Sequence, residues 1–352
     1  MVSFPLSKLT RSAVTLACVF TLTAGAAMLK AAAVGNIELR GAGSTLAAPL
    51  YEKWIDAFEK THPNISLSYE AVGSGEGIAR FSADTVEFGA SDVPLSPAEA
   101  AKLTRGVIQV PATAGMVVLA YNLANITGEL KLPQDVYFDI FMGRIRTWDD
   151  PRIRAANPHL RLPSRTIAVV VRQESSGTTY AFTNHLAAIN EDWISKGPGV
   201  SKLVEWPHTA MIARGNEGVA SRIKISEGSI GYVEWGFARR LGLPVALLQN
   251  KAGEYVAPTE ETGTAALAAS AGHDLEQLST SMANPGGREA YPIVTYSWLL
   301  LYEDYPEQEA QAIDSFVDFG LGAGQTIAAG LGYLALPRAV AELGKGALSR
   351  MK

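Results

Sequence analysis

The sequence predicts an α/β fold built on a largely parallel sheet, and three observations lead there. From Ile37 onward strand-like and helix-like segments alternate, the pattern that βαβ units produce. TIAVVVR, from Thr166 to Arg172, is a near-continuous apolar run, as expected of a central strand covered on both faces. Glycine and hydroxyl residues crowd GAGSTLAAP (Gly41 to Pro49), GSGEG (Gly73 to Gly77) and RQESSGTT (Arg172 to Thr179), each where a strand should hand over to a helix. No internal repeat is visible.

The chain opens on a leader. Lys8 and Arg11 form a basic start, Ser12 to Leu29 is an apolar run, and Ala31-Ala32-Ala33 offers an A-x-A cleavage site, so residues 1–33 read as an export signal. Ala24-Gly25-Ala26 is the rival cut, and an uncleaved anchor fits less well because the run is short for a membrane span. The only cysteine, Cys18, falls inside the leader, which leaves the mature chain without disulfides, thiolate metal sites or a cysteine nucleophile. Lipidation at Cys18 fits poorly, because the apolar run continues through Val19, Phe20 and Leu22. No later segment reads as transmembrane.

The first helix should begin near Ala47, with Pro49 in its first turn and Leu50, Trp54 and Phe58 as its buried stripe. A half-buried strand follows from Ile65 to Val72, with Ile65, Leu67, Tyr69 and Ala71 alternating, and runs into GSGEG and a short helix from Ile78. A strand at Val86 to Gly89 leaves Asp92 just past its end, and Ser96-Pro97-Ala98-Glu99 reads as a capping box opening a helix. The strand Thr166 to Arg172 delivers Arg172 to its carboxyl end, and the next helix places Ser176, Gly177 and Thr178 at its start. Tyr296-Ser297-Trp298 reads as packed core, and Gly320 to Gly332 as helix ends in tight contact. At 352 residues the chain has room for two domains or one large α/β unit.

The glycine and hydroxyl loops carry the chemistry. A helix N-terminus offers unpaired N–H groups and the positive end of its dipole, glycine permits close approach, and Ser or Thr hydroxyls add donors. Three such loops with Arg172 and Asp92 suggest a pocket that holds one small anion from several sides. Hydrophobic residues make up 47% and net charge is −5, a globular composition without the basic surface that nucleic acid requires. GSGEG does not continue as a dinucleotide fingerprint because position 78 is Ile, and no phosphate-binding P-loop occurs. The histidines His62, His159, His185, His208 and His273 contain no i, i+4 pair, so no zinc site is expected. A secreted phosphatase with Ser176 as nucleophile and Arg172 as clamp would need metal ligands or a histidine base, and neither stands at motif spacing. Glu174 is placed to pair with Arg172 and temper its charge.

In order along the chain, GAGST, FGASDVPL, VVVRQESSGT, GNEGVASRIKISEGSIGYVEW (Gly215 to Trp235) and AYPIVTYSWLLL resemble the PstS family, the phosphate-binding proteins of phosphate-specific ABC transport systems. The resemblance covers nearly all of the chain beyond the leader. It implies a type II-like periplasmic binding protein, with two α/β lobes joined by two crossover segments and a ligand cleft between them. Lobe one would combine residues 34–117 with 297–352, and lobe two would span 118–296. Carried over by position, the phosphate contacts are Thr45, the backbone of Leu46, Ser74, Asp92, Arg172, Ser176, Gly177 and Thr178. The implied protein is an extracytoplasmic receptor in the periplasm that delivers inorganic phosphate to an inner-membrane ABC permease with a cytoplasmic ATPase. It would have no catalytic role, no cofactor and no metal, and delivery to a permease suits a monomer.

Two residues depart from the family pattern. Leu46 stands where an aromatic is common, and Glu76 sits in the second loop where relatives have Gly or Ala; a carboxylate pointing inward would repel a dianion, so Glu76 should face outward or pair with a base. Asp92 suits phosphate, which near neutral pH keeps a proton to donate, and disfavours sulfate, which has none. A receptor for another oxyanion such as arsenate, molybdate or sulfate, and an interaction protein that has lost its ligand, are the remaining alternatives.

Overall fold

The computed structural model describes residues 36–270 and 282–352, so the leader and its candidate cleavage sites lie outside the described residues. The elements in order are β1 (Ile37–Gly43), α1 (Ala48–Phe58), β2 (Ile65–Glu70), α2 (Ser74–Ser82), β3 (Phe88–Ser91), α3 (Pro97–Ala100) and β4 (Ile108–Tyr121). Next come β5 (Lys131–Leu132), α4 (Gln134–Phe141), α5 (Pro151–Ala156), β6 (Ala168–Arg172), α6 (Gly177–Ile189), α7 (Asp192–Ser195), β7 (Met211–Ala213), α8 (Gly215–Ile225), β8 (Ser229–Glu234) and α9 (Trp235–Arg240). Then follow β9 (Leu247–Gln249), β10 (Tyr255–Val256), α10 (Glu260–Ala269), β11 (Val294–Leu301), α11 (Glu307–Leu321), α12 (Gly324–Leu331) and α13 (Arg338–Leu348).

Eight strands form one sheet in the order β2-β1-β3-β11-β4-β8-β6-β7, and β10-β9-β5 form a small second sheet. Both wings of the large sheet are parallel, β2-β1-β3 on one side and β8-β6-β7 on the other. Its centre is antiparallel, because β11 inserts between β3 and β4, and β4 pairs antiparallel with β8. The expected parallel sheet is therefore correct for the wings only. Local patterning carries no information about a strand that arrives from the far end of the sequence.

Strand β4 joins the wings. Its Ile108–Met116 half pairs with β11, and its Val117–Tyr121 half pairs with β8. Register shifts where Trp298 faces Pro111 and Ser297 faces Thr113, passing over Ala112. Pro111 has no N–H to give to a ladder, which is the usual reason a bulge settles at such a position. Nearly every β4 side chain is buried, as are Tyr296, Ser297 and Trp298 opposite it.

Helix α1 buries Leu50, Trp54 and Phe58 as the spacing predicts, with Pro49 in the first turn. Trp54 donates its indole N–H to Gly324 O at 2.9 Å and lies edge-on to Phe316. A Cβ on Gly320 would stand 2.6 Å from the Trp54 ring, so the Gly/Ala-rich tail is tight packing, as read from the sequence. The capping box at Ser96 and Glu99 is present in both directions.

Four boundaries differ from expectation. Strand β2 stops at Glu70 and leaves Ala71 exposed, β3 runs two residues later than read, and β6 begins at Ala168 one place in from the sheet edge. Helix α2 begins at Ser74 instead of Ile78, so GSGEG is mostly its first turn. Two glycines lower helix propensity, but tertiary contact reverses the outcome: a Cβ on Gly77 would lie 2.3 Å from Gly43 Cα, and only a glycine face lets this helix rest on β1.

Candidate functional site

Every predicted site residue lies at the carboxyl end of a strand or in the first turn of the helix that follows. In open α/β sheets that is where ligands are held. The parallel pairing of β1 with β3 sets Gly43 opposite Ala90, so Ser44 and Asp92 emerge side by side. Ser44 Oγ donates to Asp92 Oδ1 at 2.5 Å and accepts the N–H groups of Leu46 at 3.0 Å and Ala47 at 3.3 Å. Helix α2, seated on β1, brings Ser74 Oγ within 3.2 Å of the Asp92 N–H and 3.1 Å of the Gly177 N–H, both of which donate to it.

Arg172, 3% exposed at the end of β6, links the two halves. Its guanidinium donates to Thr45 Oγ1 at 2.9 Å and Thr178 Oγ1 at 3.3 Å, and its Nε to Glu174 Oε1 at 2.9 Å. Glu174 also forms an ion pair with Arg172 Nη2 and accepts the Gly215 N–H at 3.0 Å. Ser176 caps α6 by accepting the Thr179 N–H, and its own N–H donates to Lys202 O. Thr45, Leu46, Ser74, Asp92, Arg172, Ser176, Gly177 and Thr178 are thus brought into one buried cluster.

Asn216 belongs to the same cluster and was missed by sequence reading. Its amide donates to Thr45 Oγ1 at 3.1 Å and Thr178 Oγ1 at 3.2 Å, and its Oδ1 accepts the Glu234 N–H at 2.9 Å. The available signal was a fourth instance of the loop pattern, since Gly215 and Asn216 open α8 directly after β7. The Leu46 side chain is fully buried and its N–H is taken by Ser44. Glu76, half exposed, turns outward to Arg80 at 2.9 Å, as its charge requires.

Burial raises the Asp92 carboxyl above its ordinary range, opposed by the Ser44 and Ser297 hydroxyls, the positive charge of Arg172 and the Ser74 hydroxyl. Glu234, fully buried at the end of β8, is pushed up to about 8 by burial against the pull of the Gly236 N–H and Arg240. His185 is a buried core histidine: burial lowers it to about 3, and Tyr137 Oη bonds its Nε2 at 2.7 Å. A hollow of about 940 Å³ lined by residues from Glu254 to Glu261 and from Gly286 to Ala290 touches none of the eight residues. A cavity of about 20 Å³ reaches Asp92 beside Tyr180, Thr295 and Trp298, room for about one water.

The arrangement gathers hydroxyl groups, one guanidinium and one carboxylate into one buried cluster, which is chemistry for holding a small protonated oxyanion. Comparison with known proteins agrees. A family model described as a PBP superfamily domain matches residues 27–323. The chain is 37% identical to the phosphate-binding protein PstS of Haemophilus influenzae over 85% of its length and 89% of that protein. It is also 37% identical to the phosphate-binding protein PstS of Methanocaldococcus jannaschii, over 90% of this chain and 87% of that one. Among solved structures, the periplasmic phosphate-binding protein PfluDING superposes with a TM-score of 0.72 at 22% identity, over 88% of this chain and 93% of that one. A human phosphate-binding apolipoprotein superposes at 0.68 and 20% identity, over 88% and 93%. At these identities the structures bear on the fold alone.

Proposed function

The chain belongs to the PstS phosphate-binding proteins of the PBP superfamily, and from that membership we propose that it captures inorganic phosphate outside the cytoplasm and hands it to an ABC permease. The observation that carries the reading is the burial of Arg172 and Asp92 in one cluster of donors, with Asp92 only 4% exposed. A dianion needs its lost hydration replaced by charge-assisted bonds of about 1.5–3 kcal/mol each. Thr45 and Thr178 each accept from Arg172 and Asn216, so each hydroxyl keeps its own hydrogen for the ligand. The Gly177 N–H is held by Ser74, so the N-terminus of α6 adds the Thr178 N–H and the helix dipole. Asp92 receives the proton that monohydrogen phosphate carries, and sulfate, which has none, would set two acceptors against each other in a buried site.

The lobes on this reading are residues 34–117 with 297–352, and 118–296 between them. The change of β4 partner from β11 to β8 after Met116 supports that division. Arg172 reaching Thr45, and Gly177 N–H reaching Ser74, are then bonds between lobes that phosphate would tie together. Export through the residue 1–33 leader into the periplasm, delivery as a monomer, and a permease with its ATPase complete the proposal. Isothermal titration of the ligand-stripped protein with phosphate, with sulfate as competitor, tests it. Tight one-to-one binding that excess sulfate fails to displace is expected; no heat with phosphate from a folded protein would refute it.

A further inference from the structure

We propose that Ser44 is a positioning residue that locks Asp92 as a proton acceptor and so helps set which oxyanions the site admits. The inference rests on the phosphate reading above and goes beyond the residues that would touch the ligand. A serine hydroxyl has one hydrogen and two lone pairs. Both lone pairs of Ser44 are engaged by the Leu46 and Ala47 N–H groups at the start of α1, at 3.0 and 3.3 Å. Its single hydrogen therefore has one destination, Asp92 Oδ1 at 2.5 Å.

Backbone geometry thus dictates the direction of a side-chain hydrogen bond. The N–H groups of α1 cannot reverse, so Ser44 cannot become an acceptor for a protonated Asp92 Oδ1 without abandoning them. Ser74 repeats the arrangement on the other oxygen: it accepts the Asp92 and Gly177 N–H groups at 3.2 and 3.1 Å and turns its hydrogen toward Asp92 Oδ2 at 3.5 Å. Ser44 holds the shorter bond and is the stronger restraint. Thr295 Oγ1 donates to the Asp92 backbone oxygen at 3.1 Å and steadies the residue from behind.

Selectivity follows from that direction. Burial alone favours the neutral carboxylic acid, and a neutral Asp92 would offer an O–H, which suits a fully deprotonated oxyanion as well as it suits phosphate. Ser44 opposes burial by donating to the charged form, together with the Ser297 hydroxyl, the positive charge of Arg172 and the Ser74 hydroxyl, while the buried Glu234 lies close enough to Asp92 to interact with its charge. Without it the carboxylate protonates at higher pH and the filter against sulfate weakens over the range where it should operate.

The test measures phosphate and sulfate affinity against pH from 5 to 8.5 for the wild type, Ser44→Ala, Asp92→Asn and the double variant, with thermal melts as a fold check. In Ser44→Ala the acid limb of phosphate binding should move up by about one pH unit, a tenfold change in the Asp92 protonation constant, and the phosphate preference over sulfate at pH 6 should fall about tenfold. In the Asp92→Asn background the same substitution should leave both quantities unchanged, which a merely structural role of Ser44 would not produce. An unmoved acid limb and an unchanged ratio in Ser44→Ala, or an equal loss in the Asp92→Asn background, overturns the proposal. Should Ser44→Ala fail to fold, Ser44→Cys, with a weaker donor on the same atom, carries the comparison. Absence of phosphate binding by the wild type would strike the underlying phosphate reading, and is separable because it needs no variant.

Discussion

Replacing Gly177 by alanine should hold the site open. Gly177 is the first residue of α6, and a Cβ built on it would lie 2.5 Å from Asp92 Cβ, 2.6 Å from Ser74 Oγ and 2.7 Å from Asp92 Oδ2. Carbon atoms rest about 3.5–4 Å apart, so the two faces must separate by roughly 1 Å. None of the colliding atoms sits at the end of a flexible chain, and both residues are buried. Separation costs about 1–3 kcal/mol of overpacking and breaks the Gly177 N–H bond to Ser74 at 3.1 Å, about 1 kcal/mol more. Alanine's better helix propensity, worth at most about 1 kcal/mol, acts on α6 itself and does not relieve the clash. The net loss of about 2–4 kcal/mol predicts phosphate affinity weakened between 30-fold and several-hundred-fold, at about tenfold per 1.4 kcal/mol. Titration calorimetry on protein stripped of ligand reads this directly. Gly218→Ala, in α8, is the internal comparison, because a Cβ there would meet nothing closer than Ala213 Cβ at 3.7 Å, an ordinary contact; it should bind phosphate as the wild type does. If Gly177→Ala binds phosphate within threefold of wild type, the closed arrangement of α6 against Asp92 is not the binding form.

Asp92→Asn should keep the fold and lower the phosphate to sulfate preference at least tenfold, since an amide can donate to sulfate where a carboxylate repels it; competition calorimetry decides, and unchanged discrimination would remove Asp92 as the filter. Glu234, pushed by burial from the ordinary glutamate range up to about 8 in the folded chain, binds its proton more tightly folded than unfolded. Its contribution is therefore favourable at low pH and is lost as pH rises from about 4.5 to 8, by up to about 5 kcal/mol. Melting temperature should fall across that window in the wild type and fall less in Glu234→Gln, and parallel curves for the two would contradict the assignment. Glu76→Gln removes an exposed, solvent-screened i, i+4 pair with Arg80, which keeps its partner Glu70, so both phosphate affinity and melting temperature should stay within error of wild type.

Much of the buried cluster is legible in the sequence because it is built from local signals. Glycine and hydroxyl residues before a helix announce a loop with spare donors wherever they occur, and Arg172 and Asp92 each follow a readable apolar strand. Asn216 carried the same signal in a fainter form, one glycine and one amide after a strand of three residues, and was passed over. The outward pairing of Glu76 followed from charge alone. The start of α2 was misread because the glycines that argue against a helix by propensity are the ones that allow it to lie on β1.

By itself, the sequence determined the alternation of strands and helices, the buried stripe of α1, the capping box at Ser96, and which residue types stand at the strand ends, because each depends on neighbours within a few positions. Tertiary structure alone decided that β11 from the end of the chain inserts beside β4, that β4 changes partners after Met116, and that four separate loops converge on Arg172 and Asp92. It also decided where the Ser44 proton goes, since the N–H groups of Leu46 and Ala47 that turn it toward Asp92 are oriented only once α1 and β3 are in place. Pairings between distant segments are set by the shape and burial of the whole sheet, and no local pattern of residues encodes them.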